Sequence, residues 1–274
     1  MKSISRIINY LLEKVEFMLS SNWFNPFLTI YLNIRSFPFK QALLFPVFVY
    51  GRPRFHSLKG QMLCLCKIKP GMITFNKTQF NCPSNTSLQS EIGNRGKILF
   101  RGGAIIGTGT KIVLEGNGIL ELGKGIKITD FVNLSCWSSV KIGDYSRVVH
   151  RCQIMDTNFH YLANIQKGYV PKREHPIVIG DYCWICNSTT VTGGSSIPNR
   201  TIVASNSVVN KDFSSLPEGT LIGGIPAKLI STGPFKRIES RKAEKILREY
   251  WRRNPNSMEY EIEEGFDFAY YVES

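Results

Sequence analysis

The stretch IGDYCWICNSTTVTGGSSIPNRTIVASNSVV, residues 179–209, repeats one pattern every six residues. An aliphatic residue opens each repeat, and a small residue follows four positions later. A period of six matches neither the helical repeat of about 3.6 residues nor the alternation of a strand, and it is typical of β-helix solenoids. The aliphatic positions are Ile179, Ile185, Val191, Ile197, Val203 and Val209, and the small positions are Cys183, Thr189, Ser195, Thr201 and Ser207.

The same register continues upstream of this stretch, which extends the predicted solenoid. Each hexapeptide forms one flat side of a prism, with the aliphatic side chain inside and the small residue at the corner. Stacked coils then bury one continuous aliphatic column, so each added coil stabilises the coil before it. A sandwich would not hold one register over this length. The upstream positions are Ile106, Ile112, Leu122, Ile128, Leu134, Ile142, Val148 and Ile154.

The register breaks between Ile154 and Ile179, and the break predicts a protruding loop. The segment MDTNFHYLANIQKGYVPKREHP, residues 155–176, is polar and rich in turn residues. Insertions of this kind lie on one face of a solenoid and often bind ligands. The loop contains His160 and His175. An imidazole has a reference pKa near 6.5, so it can accept a proton from an alcohol or amine at neutral pH.

Four short motifs resemble the hexapeptide acyltransferases, in particular the galactoside and maltose O-acetyltransferase branch. They are DTNFH at 156–160, HPIVIGDYCWIC at 175–186, VASNSVVNKDF at 203–213 and LIGGIPAKLI at 221–230. The resemblance covers about residues 100–235. It implies a left-handed parallel β-helix, direct acetyl transfer from acetyl-CoA, no metal, and a homotrimer with its active site between subunits.

The resemblance also implies roles for individual residues. His160 matches the catalytic base, and Trp184 matches an aromatic residue that lines the acyl site. Asp156 and Asn133 are candidates on the acceptor side, where they would position the imidazole or the hydroxyl. The chain departs from the branch at Cys186-Asn187, where Gly-Ala or Gly-Ser is common, and at Ser205-Asn206, where small residues are usual, so the pantetheine path is expected to shift. The residues at cofactor-binding positions are Asn187, Ser205, Asn210, Lys211 and Lys228.

Composition limits the class of partner. The 274 residues carry a net charge of +13, which favours an anionic ligand or surface. No aromatic and basic RNA-binding signature and no zinc-finger spacing occur, so nucleic acid is not expected. The seven cysteines match no metal or redox motif. Unpaired thiols and charges within the N-terminal apolar run favour a cytoplasmic protein without a cleaved signal peptide.

The sequence divides into three predicted segments. Residues 1–90 form an aromatic, basic extension, 91–230 the left-handed β-helix, and 231–274 a C-terminal helix with an acidic tail. Apolar residues at helical spacing predict a first helix over residues 4–19, and Pro234 to Arg253 reads as a basic helix. Two interpretations of residues 1–50 stay open: a helical cap on the solenoid, or an anchor on the inner face of a membrane.

Several functions remain in competition at this point. The predicted function is O-acetylation of a sugar, free or linked to lipid, in surface-polysaccharide biosynthesis. The alternatives are N-acetylation of an amino sugar, transfer from an acyl carrier protein, and a trimeric scaffold without catalysis. A γ-type carbonic anhydrase shares the scaffold and binds zinc through three histidines. His150, His160 and His175 are present, but the two closely spaced histidines of that family are absent.

Overall fold

The described residues form a three-sided parallel β-helix closed at each end by non-repeating structure. This computed structural model describes residues 7–10, 12–13, 23–78, 89–262 and 266. The predicted fold class, a left-handed parallel β-helix of hexapeptide repeats with helical extensions, is confirmed. Of the first predicted helix, residues 7–10 and 12–13 are helical, and the rest lies outside the described residues.

Twenty-two strands of the described chain make three sheets, and up to β20 every third strand joins the same sheet. The nine-stranded sheet contains, in order, β1 (Val47–Val49), β4 (Ile73–Phe75), β7 (Ala104–Ile106), β10 (Ile126–Ile128), β13 (Arg147–Val148), β16 (Trp184–Ile185), β19 (Ile202–Val203), β21 (Leu221–Gly224) and β22 (Ala227–Ser231). The seven-stranded sheet contains β2 (Arg54–Leu58), β5 (Glu91–Asn94), β8 (Lys111–Leu114), β11 (Asn133–Cys136), β14 (Gln153–Met155), β17 (Thr190–Thr192) and β20 (Val208–Val209). The six-stranded sheet contains β3 (Gln61–Cys64), β6 (Lys97–Phe100), β9 (Ile119–Leu122), β12 (Ser139–Ile142), β15 (Ile177–Ile179) and β18 (Ser196–Ile197).

The predicted aliphatic column is the core of the prism. All six aliphatic positions of the opening stretch are buried, and so are its five small corner residues. In the nine-stranded sheet, Ile128, Val148, Ile185 and Val203 pair in one register through successive coils. A Cβ added at Gly123 would lie 2.4 Å from the backbone of Gly143, so only glycine fits at that corner.

The solenoid begins at Val47, upstream of the predicted boundary at residue 91. Strands β1 to β4 pair with the later strands of all three sheets. Their core positions include Met62 and Phe75, which are larger than the aliphatic residues of later coils. The buried residues Leu58, Cys64 and Phe75 lie six and eleven positions apart, so the six-residue register is lost in this coil.

Two short helices, α1 (Pro26–Ser36) and α2 (Phe39–Ala42), cover the open end of the first coil. The amide of Asn33 donates to the carbonyl of Val47 at 2.7 Å and accepts its N–H at 3.1 Å. The side-chain amide of Gln41 forms the same pair of hydrogen bonds with the backbone of Cys64, each 2.9 Å long. Side chains thereby satisfy backbone groups of the edge strands that would otherwise be unpaired.

The other end is closed by the antiparallel hairpin of β21 and β22 and by helix α3 (Arg241–Arg253). The predicted start of this helix at Pro234 is wrong, because Ser240 caps the helix by accepting the N–H of Ala243 at 3.3 Å. The preceding segment is held by the partly buried carboxylate of Glu239, which contacts Arg147 at 2.8 Å and Arg237 at 2.9 Å.

Candidate active site

The predicted loop leaves the prism between β14 and β15, at the corner that joins the seven-stranded sheet to the six-stranded sheet. Its two ends run side by side: the N–H of His175 donates to the carbonyl of Asp156 at 2.8 Å, and Thr157 forms an antiparallel bridge with Glu174. The N–H of Asn158 donates to the carbonyl of Arg173 at 3.3 Å. The loop is therefore an arm with a paired base, and its position relative to the solenoid is defined.

Asp156 joins the base of this arm to the coil before it. Its buried carboxylate accepts the N–H of Trp137 at 2.8 Å and that of Ser138 at 2.7 Å. Hydrogen bonds to a carboxylate are about twice as strong as neutral ones. The Trp137 ring packs edge to face against Phe159 at 5.1 Å between centroids. Asp156 thus fixes the corner that supports the residue before His160.

His160 is exposed on the arm, directly after a strained turn. Phe159 has a φ of 61°, in the left-handed region that a bulky side chain rarely adopts. Its N–H donates to Thr157 Oγ1 at 3.1 Å and its carbonyl accepts Arg173 Nη1 at 3.3 Å. The N–H of His160 donates to the carbonyl of Asn158 at 2.7 Å. Nine other non-glycine residues of the described chain have a positive φ, so this conformation is common to the turns of this fold.

The second loop histidine has a different role. His175 Nε2 lies 2.9 Å from the carbonyl of Lys172, so this nitrogen must carry the proton and donate it. Arg173 forms a salt bridge with Glu174, which lowers the pKa of that carboxyl, and its guanidinium lies over the Tyr161 ring at 4.8 Å. These contacts brace the arm. Both loop histidines are exposed, but the ring of His175 is held by the carbonyl of Lys172.

The remaining candidate residues lie on other parts of the prism. Asn187 and Ser205 occupy equivalent positions of successive coils, where the nine-stranded sheet meets the seven-stranded sheet, and the Asn206 N–H donates to the Asn187 carbonyl at 3.0 Å. Trp184 stands outward on β16, 36% exposed. Lys228 is exposed on β22.

Two candidates share a corner with the loop. Asn210 and Lys211 follow β20, which lies two strands beyond β14 in the seven-stranded sheet. Both are exposed, and Lys211 Nζ lies over the Phe213 ring at 5.0 Å. Asn133 is on β11, beside Gln153 and Lys111. Within one chain, the structure therefore groups His160 with Asn210 and Lys211 at one corner and leaves Asn187 and Ser205 at another.

Sequence reasoning missed the residues that brace the loop. Trp137 lies 19 positions before Asp156, and the two meet only because one coil stacks on the next. Its one local signal is a large aromatic residue between Cys136 and Ser138, at a corner where small residues are usual. Phe159 stands inside the DTNFH motif, but its left-handed backbone is visible only in the structure.

The thiols near these positions are poor nucleophiles at neutral pH. Burial raises the pKa of Cys186, which follows the Trp-Ile pair, to about 11. Burial raises the pKa of Cys136 to about 12, and the carboxylate of Asp156 adds to that shift. A thiol needs its thiolate form to attack an acyl group. Among the described residues, no group of three His, Cys, Asp or Glu side chains is placed to hold a metal ion.

The chain is similar to named acetyltransferases. It is 30% identical over 147 residues to a protein of Escherichia coli (strain K12) named as the lipopolysaccharide biosynthesis O-acetyl transferase WbbJ, covering 51% of this chain and 74% of that relative. It is 29% identical over 131 residues to the colanic acid biosynthesis acetyltransferase WcaF of the same organism, covering 40% of this chain and 68% of that relative. No family model matches the chain.

Solved structures with a similar course of the chain are more distant in sequence. One is the crystal structure of the polySia-specific acetyltransferase NeuO, with a TM-score of 0.41 and 16% identity. The superposition covers 83% of this chain and 95% of that one.

Proposed function

This chain belongs to the hexapeptide-repeat acyltransferases, and we propose that it transfers an acetyl group from acetyl-CoA to a sugar hydroxyl in surface-polysaccharide biosynthesis, with His160 as the general base. The observation that carries the proposal is the braced arm, in which Trp137 packs against Phe159 and the following residue, His160, is exposed. The two named relatives act in lipopolysaccharide and colanic acid biosynthesis according to their names, which supports a sugar acceptor.

The proposed reaction is a direct transfer. His160 removes the proton from the acceptor hydroxyl while its oxygen attacks the thioester carbonyl carbon. The tetrahedral intermediate collapses, the carbon–sulfur bond breaks, and the CoA thiolate takes the proton from the imidazolium. The raised thiol pKa values support this route over an acyl-enzyme on cysteine. General-base catalysis contributes about 10²–10⁴-fold in rate.

We propose that acetyl-CoA lies along the last coils, where motifs at 203–213 and 221–230 resemble those of the family. Lys211 and Lys228 are exposed lysines that would meet its phosphates as point charges. Asn187 and Ser205 would line the pantetheine path at their corner, with Trp184 beside the acyl group. Asn133 and Asp156 are proposed on the acceptor side, Asp156 through the corner that it holds at Trp137.

The separation of these residues supports a site shared between chains. The arm with His160 and the corner with Asn187 and Ser205 lie at opposite edges of the seven-stranded sheet. Strands of three to four residues separate those edges by about 10 Å. A cyclic trimer, in which the arm of one chain meets the Asn187 corner of the next, would complete the site. The proposed assembly is therefore a homotrimer.

The test is the replacement His160→Ala, with His56→Ala as the matched control. His56 is an exposed histidine of the first coil that contacts Glu91 at 2.9 Å, far along the axis from the arm. We expect His160→Ala to lower kcat by about 10²–10⁴-fold. Stabilisation by acetyl-CoA in a thermal melt should persist, because a ligand that binds the native state raises its Tm. The control should retain full activity.

Thiol release from acetyl-CoA, followed across sugar and amino-sugar acceptors, gives the readout and separates O-acetylation from N-acetylation. If His160→Ala kept most of its kcat, the assignment of the base would be wrong.

A further inference from the structure

Helix α1 has an inverted distribution of polar and apolar residues. The side that faces the solenoid is mostly polar and buried, with Thr29, Asn33 and Ser36. The opposite side carries Phe27, 79% exposed, and Ile34, 60% exposed. At 3.6 residues per turn these two sets point in nearly opposite directions. A helix that only covers a protein core has the reverse arrangement.

The edge of the first coil explains the polar inner side. Asn33 pairs with both backbone groups of Val47, and Thr29 Oγ1 accepts the N–H of Val49 at 3.0 Å. The contact with the solenoid thus needs Thr29 and Asn33. It does not account for Phe27 or Ile34, which face away from the solenoid.

The exposed apolar side chains continue onto the neighbouring segments. Phe39 on α2 is 73% exposed, and Leu43 and Leu44 follow it. Leu65 comes directly after Cys64, whose backbone is bound by Gln41 of α2. Several exposed apolar side chains on adjoining segments make a candidate binding surface. We define the cap surface as the exposed side chains of Phe27, Ile30, Ile34, Phe39, Leu43, Leu44 and Leu65.

Along the sequence, the cap and the first coil carry charge of one sign, and Glu91 of the next coil contacts His56. From Phe17 to Ser90 the sequence contains no Asp or Glu, and it contains eight Lys and Arg. These eight residues carry +8 of the total charge of +13, and all of them are exposed. They are Arg35, Lys40, Arg52, Arg54, Lys59, Lys67, Lys69 and Lys77. The partner of this surface therefore has to offer apolar groups and negative charge together.

We propose that the cap surface docks on an anionic lipid bilayer, with its apolar side chains at the level of the acyl chains and the surrounding Lys and Arg among the headgroups. A basic rim around an apolar face is the pattern of proteins that lie in the membrane interface. No described helix is long and apolar enough to cross a bilayer, so the contact is one of lying on the surface.

A second copy of the chain fits this surface less well. A two-fold contact brings the same patch of both chains together. Two acid-free caps, each with eight positive charges, would then face each other. A bilayer that contains anionic lipid supplies the opposite charge. The inference concerns the first coil and does not depend on the proposed acetyl transfer.

The experiment sediments the full chain with vesicles of equimolar phosphatidylglycerol and phosphatidylcholine, and with vesicles of phosphatidylcholine alone. We expect binding to the anionic vesicles and much weaker binding to the neutral ones. The variant Ile30→Glu with Ile34→Glu should bind at least about tenfold more weakly per residue, because each loses an apolar side chain from the interface. Its matched control is Met258→Glu with Ile262→Glu, which alters two exposed apolar residues far from the cap.

A second pair of variants tests the charge. Lys67→Gln with Lys69→Gln should weaken binding to anionic vesicles about fivefold per residue. Lys242→Gln with Lys245→Gln, on exposed positions of α3, is its control and should bind as the parent chain does. Thermal melts check that all variants are folded.

Three outcomes would overturn the proposal. The full chain could stay in solution with anionic vesicles, it could bind both kinds of vesicle equally, or the cap variants could bind as tightly as their controls. If the chain did not bind vesicles but formed an oligomer, and the double variant Ile30→Glu with Ile34→Glu dissociated that oligomer, the surface would be assigned to a second copy of the chain. Acetyl transfer to a soluble acceptor, measured on the same variants, is expected to be unchanged, so failure of the docking and failure of the proposed reaction are distinguishable.

Discussion

Replacing Asp156 by Asn tests whether the corner at Trp137 supports catalysis. The carboxylate accepts two backbone N–H groups, from Trp137 at 2.8 Å and Ser138 at 2.7 Å, and it is fully buried. In Asp156→Asn one oxygen remains an acceptor, and the new amide NH2 opposes the other N–H. One charge-assisted bond is lost and one buried donor is left unpaired, which costs about 2–4 kcal/mol of unfolding free energy.

A matched control exists in another corner. Asp130 is also buried, and its Oδ1 accepts the N–H of Thr108 at 2.8 Å and the Thr108 hydroxyl at 3.0 Å. Asp130→Asn also neutralises a buried corner carboxylate, but it lies where the nine-stranded sheet meets the seven-stranded sheet, on a coil before the arm. Because Oδ1 alone accepts both bonds and the amide of Asn keeps that oxygen, this variant should lose less stability in urea unfolding than Asp156→Asn.

The two variants should differ in kcat. Only Asp156→Asn loosens Trp137, whose ring packs against Phe159 beside His160. We expect its kcat to fall more than about tenfold, because a displacement of about 1 Å can cost 10²-fold in rate. KM for acetyl-CoA should change little. Equal kcat values for both variants, measured at a temperature where both are folded, would refute the coupling between this corner and the base.

Two further predictions follow from the structure. Burial raises the pKa of Cys183 to about 12 and that of Cys186 to about 11, from an ordinary value of 9.0, so iodoacetamide at neutral pH should leave both thiols unmodified by mass spectrometry. Because the pKa values of these thiols are raised in the folded state, their contribution to stability is complete below about pH 9 and is lost as the pH rises towards the folded pKa values. Urea unfolding at increasing pH would measure this loss. Rapid alkylation at neutral pH would contradict the raised pKa values. Mixing a His160→Ala chain with a Ser205→Trp chain, whose ring would fill the proposed cofactor path, should restore about one quarter of the sites if each site joins two chains. No recovery in mixed trimers would place the whole site within one chain.

The sequence predicts the core of the later coils well, because every side of the prism has the same length. Ile179 and Ile185 lie on successive sides of the prism, six residues apart, and the same six-residue spacing recurs wherever the column is aliphatic. The first coil is not predictable in this way, because its sides differ in length: eleven residues separate the buried Cys64 and Phe75, where later sides have six. The start of the solenoid at Val47 is visible only from strand pairing.

The site is predictable in part for a related reason. A break in the register exposes the loop, so His160 can be found from the sequence with the family motif. The contact of Asp156 with Trp137 cannot be found from the sequence, because the carboxylate binds backbone N–H groups of the coil before it, and no side-chain pattern indicates such a bond. The separation of His160 from Asn187 across the seven-stranded sheet is likewise a property of the fold, and it is what makes the shared site a necessary part of the proposal.

The cap and the arm together constrain the acceptor. Because α1 binds the edge of β1, the outer side of α1 faces along the solenoid axis. Docking of this side on a bilayer would orient the solenoid axis perpendicular to the membrane plane. The arm follows β14, four strands beyond β2 in the same sheet, and each strand adds about 4.8 Å, so its base lies about 19 Å up the axis. Helix α1 adds a thickness of about 10 Å. A lipid-linked acceptor would then present its reacting hydroxyl roughly 30 Å from the bilayer, a distance that an extended glycan spans and a single sugar on a headgroup does not.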